Sequence, residues 1–234
     1  MHPSLKPFGY ATVLLALAAC GKHDTDDTAA QIPPPATSVA QPAAPEAMAA
    51  PAQASVPAPK LQAALRDLWH GHIVHTREYA MAVHGHKDAD QKKAADAVVA
   101  NAKQISDAVA GFYGKPGGDR MLELLGAHWA GVQSLTDARG KADAAAADKA
   151  MSDLTINAGD IAKFLSGANP NLPNDAVRGL MLAHVAHHNQ QIQQIMAGDT
   201  QGEAATWVAM QQHMDTLADA LAGAIAKQFP DKAS

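Results

Sequence analysis

The sequence predicts an all-α domain over residues 61–234, a six-helix bundle made of three antiparallel hairpins. Two patterns and the composition point there. Large apolar residues recur three and four apart through six stretches, the spacing that lines one face of a helix. The stretches also recur along the chain: VRGLMLAHVAHH at 177–188 echoes MLELLGAHWAGV at 121–132 and LRDLWHGHIVHT at 65–76, a step of 56 residues. The step carries His72, His128 and His184 (184 − 128 = 128 − 72 = 56), and likewise Asn101, Asn157 and His213. Apolar positions keep the same step, as in Leu68, Leu124 and Leu180 or Ile105, Ile161 and Leu217. A period of this length accommodates one helical hairpin. Aromatic residues make up only 4% of the chain while alanine is abundant, which suits closely packed helices better than sheet.

Residues 1–19 read as a signal peptide. Lys6 supplies a positive start, and the apolar run at 11–19 is too short to span a bilayer as a mature helix. Leu17-Ala18-Ala19-Cys20 resembles the lipobox of bacterial lipoproteins, and Cys20 is the single cysteine. The resemblance implies cleavage before Cys20 and lipidation of that residue, hence an exported domain anchored to a bacterial membrane, in the periplasm or at the cell surface. With no second cysteine there is no disulfide, so the fold rests on its core. Residues 20–60 carry the lipidated cysteine and an Ala/Pro-rich linker. Pro33, Pro34, Pro35, Pro42, Pro45, Pro51, Pro57 and Pro59 forbid regular helix there and favour extended chain, a spacer between membrane and domain.

The six helices follow. The first, 61–84, has the stripe Leu61, Leu65, Leu68, His72, Thr76, Tyr79 and Val83. The second, 91–113, turns Ala94, Val98, Asn101, Ile105 and Phe112 inward. Gly114-Lys115-Pro116-Gly117-Gly118-Asp119 reads as a loop. The third, 120–138, buries Met121, Leu124, His128, Val132 and Leu135. The fourth, 142–166, buries Met151, Leu154, Asn157, Ile161 and Leu165, and the Asn-Pro-Asn-Leu-Pro run at 169–173 ends it. The fifth, 175–197, carries Val177, Met181, His184, His188, Gln191 and Ile195; Gly198 turns the chain. The sixth, 202–229, carries Trp207, Met210, His213, Leu217, Leu221 and Ile225 before Pro230.

The spacing fixes heights. Residues equidistant from a hairpin turn lie level, and the pairs 72/101, 128/157 and 184/213 centre on 86.5, 142.5 and 198.5, at the three turns. All six marked residues therefore belong to one polar tier. His72, His128, His184 and His213 read as ligands of a transition metal, zinc or copper first, because imidazoles converging from several helices suit those ions. Asn101, Asn157, His188 and Thr76 read as the polar residues behind them. The contrasting reading is a structural or interaction bundle whose buried His–Asn layer is hydrogen-bonded and holds no cofactor. A haem-binding protein or a metalloenzyme ranks third; covalent haem is excluded by the missing Cys-x-x-Cys-His. His70, His84, His86 and His187 read as solvent-facing, and the nine methionines as core. No phosphate loop or nucleophile elbow stands in the chain, so hydrolase or transferase chemistry has no support. The formal charge of −5 without a basic stripe argues against nucleic acid as a partner. The membrane, through Cys20, and a metal ion are the expected partners; the sequence specifies no protein partner.

Trp69-x-x-His72-x-x-x-Thr76-Arg77, Phe112-Tyr113-Gly114, Ala168-Asn169-Pro170-Asn171-x-Pro173 and Gln228-Phe229-Pro230 together resemble a family of uncharacterised bacterial all-helical proteins, often exported. The resemblance covers nearly all of 61–232, with the Ala-Asn-Pro-Asn stretch its most specific part. It implies a helical fold and places His72, His128, His184 and His213 on recurring histidines, but His75, His187 and His188 off them. It implies no activity.

Overall fold

The computed structural model describes residues 58–233, and among these every regular element is helical. The expected signal peptide, Cys20 and the expected linker up to residue 57 lie outside the described residues, while Pro59 and Lys60, expected in that linker, open α1, where proline is tolerated in the first turn. The helices are α1 (Pro59–His84), α2 (Asp88–Gly140), α3 (Ala144–Ala168), α4 (Asn174–Ala197), α5 (Thr200–Gln228) and the single turn α6 (Pro230–Ala233).

The expected loop at 114–119 is a corner of one residue. α2 runs on either side of Gly114, whose φ of 74° and ψ of 171° break the helix and turn the chain back. Only glycine occupies that backbone region without strain. Pro116 follows within the first turn of the second arm, where a missing N–H costs nothing because that donor has no helical acceptor anyway. Ser106 closes the corner by donating from its hydroxyl to the Gly118 carbonyl at 2.8 Å. The reading of 114–119 as a loop counted glycines and a proline as breakers; in place they start a helix.

Other boundaries follow local chemistry. Asp143 caps α3 by accepting from the Ala146 amide at 3.0 Å, and Asp199 caps α5 from Gly202 at 2.9 Å. Gly198 ends α4 in the left-handed conformation, φ 68°. Six long rods result: α1, the two arms of α2 (88–113 and 115–140), α3, α4 and α5. α1 packs on α2, α2 on α3, α3 on α4 and α4 on α5; α5 closes back onto α1, and α4 touches both α1 and α2 across the middle. One continuous core holds the bundle, with Ile73, Val98, Leu135, Leu154, Ala158, Met210 and Met214 all fully shielded. Burying a leucine or methionine side chain contributes about 1.5–3 kcal/mol, so the stripes alone account for cohesion.

At one end of the bundle, Asn169, Tyr113 and Gln228 serve packing. The buried Asn169 donates from its amide to the Tyr113 hydroxyl at 3.0 Å, and its own oxygen accepts from the Asn171 amide at 2.9 Å. Tyr113 in turn donates to Gln228 at 3.1 Å, and Gln228 donates to the Ala168 carbonyl at 3.0 Å. Phe229 packs edge-on against Tyr113 at 5.3 Å. No helix among the described residues is long and apolar enough to cross a membrane.

Gly114→Ala tests the corner. The side chain forces a positive φ on a non-glycine residue, and the urea midpoint should fall by the equivalent of about 1–3 kcal/mol. An unchanged midpoint would show that the corner relaxes freely.

Candidate metal centre

Four imidazoles meet in the middle of the bundle. His72 comes from α1, His128 from the second arm of α2, and His184 and His188 from α4. One ring nitrogen from each lies within 4.8 Å of all the others. None is more than 3% exposed. The ring centroids of His72, His128 and His184 stand 5.4–5.7 Å apart, three helices contributing one ring each to a common tier. His188 lies one turn further along α4, on the same face as His184 because residues four apart align on a helix. Its ring sits 4.3 Å from that of His184 and 5.8 Å from the other two.

On an outer rod, Asn157 sets how the His128 ring is turned. The Asn157 amide group donates to the Leu124 carbonyl at 3.0 Å, which leaves its oxygen facing His128 Nδ1 at 3.1 Å. A carbonyl only accepts, so the NH₂ of Asn157 must be the end that meets Leu124 and its oxygen the end that meets the ring. His128 Nδ1 therefore carries the proton and the lone pair is on Nε2. That Nε2 is buried with no hydrogen-bond partner. Asn101 makes the same donation, to Leu68 at 3.0 Å. Gly71 makes room for it, since a Cβ there would stand 2.8 Å from the Asn101 nitrogen. His213 makes the third, from Nε2 to Leu180 at 2.9 Å. Each of the three bonds spans 33 residues and ends four residues before an inner histidine.

His213 thus stands in the row of Asn101 and Asn157, on an outer rod, while His188 completes the inner four. The expected ligand set named His213 and put His188 behind it; the structure places them the other way round. The 56-residue step was a guide to rows, and it assigns His213 to the asparagine row. Thr76 is buried, and its hydroxyl donates to the carbonyls of His72 and Ile73 at 3.1 and 3.0 Å, within its own helix. It shapes the wall rather than reaching a ring. His84 and His86 are exposed, as expected. His70 is engaged with Asp215 at 3.0 Å, and His187 is half-buried beside His213.

One buried pair had no sequence signal. Glu203, 5% exposed, accepts from Arg77 at 2.6 and 2.8 Å and from Gln191 at 2.9 Å. Arg77 also lies 4.8 Å over the Trp207 ring. Glu203 opens α5, where an acidic residue needs no explanation beyond the helix dipole, so periodicity did not mark it. The Arg77 guanidinium holds its carboxyl below the usual range, with Gln191 adding to the effect.

Burial pushes His72 down to about 3 and His128 to about 4, and drives His184 and His188 well below the ordinary 6.5, with neighbouring imidazoles adding to the effect. All four are neutral at pH 7, the state in which an imidazole donates to a metal. His72 Nε2 and His184 Nδ1 join His128 Nε2 as buried nitrogens without partners. His184 Nε2 faces His188 Nε2 at 3.0 Å. A tetrahedral ion bound at 2.0–2.1 Å needs donor nitrogens about 3.4 Å apart, so small side-chain rotations bring the four within range.

The same burial predicts acid sensitivity in the metal-free chain. An unfolded chain takes up protons near 6.5, but the folded one does not at His128 until about 4 or at His72 until about 3. Between those limits the unfolded state binds more protons, so stability is intact above 6.5 and is lost as pH falls. His72 and His128 together should cost on the order of 5 kcal/mol by pH 4. Urea midpoints of chelator-treated protein check this, and a midpoint flat from pH 6.5 to 4 would contradict it.

Comparison of the chain with protein-family models, with curated proteins and with solved structures gave no match.

Proposed function

We propose that the chain binds one transition-metal ion, zinc or copper, through His72, His128, His184 and His188. The observation that carries this reading is the convergence of four buried, neutral imidazoles, three of which present nitrogens with no hydrogen-bond partner. A buried polar atom left unsatisfied costs about 1–3 kcal/mol, and three around one point are accounted for when an ion accepts their lone pairs. A purely structural layer has two contacts in its favour, the 3.1 Å bond of His128 to Asn157 and the 3.0 Å approach of His184 to His188, yet three ring nitrogens stay without partners. Ring centroids 4.3–5.8 Å apart make a gap for an ion, not for a porphyrin. With every ligand shielded from solvent, holding, delivering or sensing the ion fits better than turning over a substrate.

The chain is further proposed to be exported and tethered through lipidated Cys20, on the strength of the lipobox-like stretch and the proline-rich spacer alone. The domain would then hold its ion outside the cytoplasm, at a membrane surface.

Purified full-length chain should carry about one zinc or copper ion by elemental analysis, and His128→Ala should lose it while keeping its helical circular dichroism. After chelation, restoring the ion at a hundredfold its Kd should add about 2.7 kcal/mol of stability. A metal-free protein whose Tm ignores added Zn²⁺ and Cu²⁺ would overturn the reading. For the tether, Cys20→Ala should move the chain from the membrane fraction of its host to the soluble fraction; continued sedimentation with membranes would count against lipidation.

A further inference from the structure

The cluster is closed to solvent, so an ion needs a route in. The departures from the 56-residue pattern trace one. Stepping back from His187 gives Gly131, from His188 gives Val132, and from His213 gives Asn157, so each of the three is a histidine where the preceding segment has none. In space they are contiguous. The His187 ring lies 5.3 Å from that of His213, His213 stacks on His184 at 6.3 Å with the planes 12° apart, and His184 meets His188 at 4.3 Å. His187 and His213 are half-buried, whereas Asn101 and Asn157, which fill the His213 row on the other two sides, are buried. Among the described residues, ring contacts run on this side from His187 through His213 to His184, whereas His75, two steps before His187, pairs with Glu78 instead.

We propose that His187 and His213 form an outer docking pair that captures a divalent first-row transition-metal ion and passes it to the buried four, a reading that rests on metal binding by that cluster. His213 is suited to the transfer. Its Nε2–H is held by the Leu180 carbonyl at 2.9 Å, which leaves the Nδ1 lone pair of the neutral ring free to take a cation. Its ring is also the one that covers His184. Releasing the single Leu180 bond lets the ring swing aside with the ion, and the bond re-forms afterwards. No proton is consumed and no redox change is needed; coordination bonds are exchanged between nitrogens.

The test uses full-length, chelator-treated chain and Co²⁺, whose visible absorption reports tetrahedral nitrogen coordination, in stopped flow. The variants are His187→Ala at the surface and His213→Asn. The latter retains a donor to Leu180, as Asn101 and Asn157 do on the other sides, so it keeps the fold. Each should slow both loading and release by about tenfold, the effect of one lost coordination contact on the path, with the final spectrum and Kd unchanged. Unchanged rates with an intact spectrum would overturn the docking pair and leave the core site standing. Loss of the final spectrum in His213→Asn alone would also overturn it, by making His213 a permanent ligand. A wild-type chain that never develops the Co²⁺ spectrum would remove metal binding itself and this route with it.

Discussion

The structure turns on the cost of placing neutral imidazoles where water cannot reach them. Ring nitrogens that would each be hydrogen-bonded in water face one another across a few ångströms at the centre of an apolar bundle. The surrounding core is tightly shielded, so they have no recourse to solvent. Their protonation would ease the shortage of partners, but burial opposes charge more strongly than a lone pair opposes isolation. The outer rods absorb part of the problem by holding Asn101, Asn157 and His213 against the carbonyls of Leu68, Leu124 and Leu180. What they leave is three buried ring nitrogens, His72 Nε2, His128 Nε2 and His184 Nδ1, without a partner.

Much of this was legible before any coordinates. The apolar stripes placed six helices, and the common step of 56 residues put the polar positions at one level. Besides the Glu203–Arg77 pair, two things escaped it. Gly114 was read with its neighbours as a loop because the sequence shows the density of breakers but not their geometry. A single glycine at positive φ turns the chain, and Pro116 then helps begin the next arm. The exchange of His213 and His188 has a different cause. The step between segments tells which residues share a row, but not whether that row lies on an inner or an outer rod. That distinction comes from the hydrogen bond to Leu180, and a carbonyl acceptor leaves no mark in a sequence.

The level next to the histidines, toward the hairpin turns, uses the same economy. Tyr79 accepts from Gln91 at 3.0 Å, and Glu203 accepts from Gln191 at 2.9 Å, both across 12 residues. The corresponding positions of the middle segment, Leu135 and Ala147, are fully buried and apolar. Polar pairs therefore occur in this level only as complete pairs, or are replaced together by packing. The histidine tier departs from that rule, and it is the departure that separates a candidate ligand site from a layer that merely sets register. Tyr113, Asn169 and Gln228 satisfy one another at the far end of the bundle and belong to the fold.

A cation held by these four neutral imidazoles would have no carboxylate to offset its charge from Glu203, which is committed to Arg77 and Gln191. The protein offers oriented dipoles in place of an anion. From His128 Nδ1–H the chain of donors runs to the Asn157 oxygen, and from the Asn157 amide to the Leu124 carbonyl. Each bond in the series polarises the next, drawing positive charge outward from the ring and making its inner nitrogen a better donor. Asn101 and His213 meet the Leu68 and Leu180 carbonyls in the same way, but the Asn101 oxygen has no partner, so the relay to an inner ring is complete only at His128. The three carbonyls belong to the inner rods themselves, four residues before each histidine, so the helices that present the lone pairs also supply the negative ends that steady a charge between them.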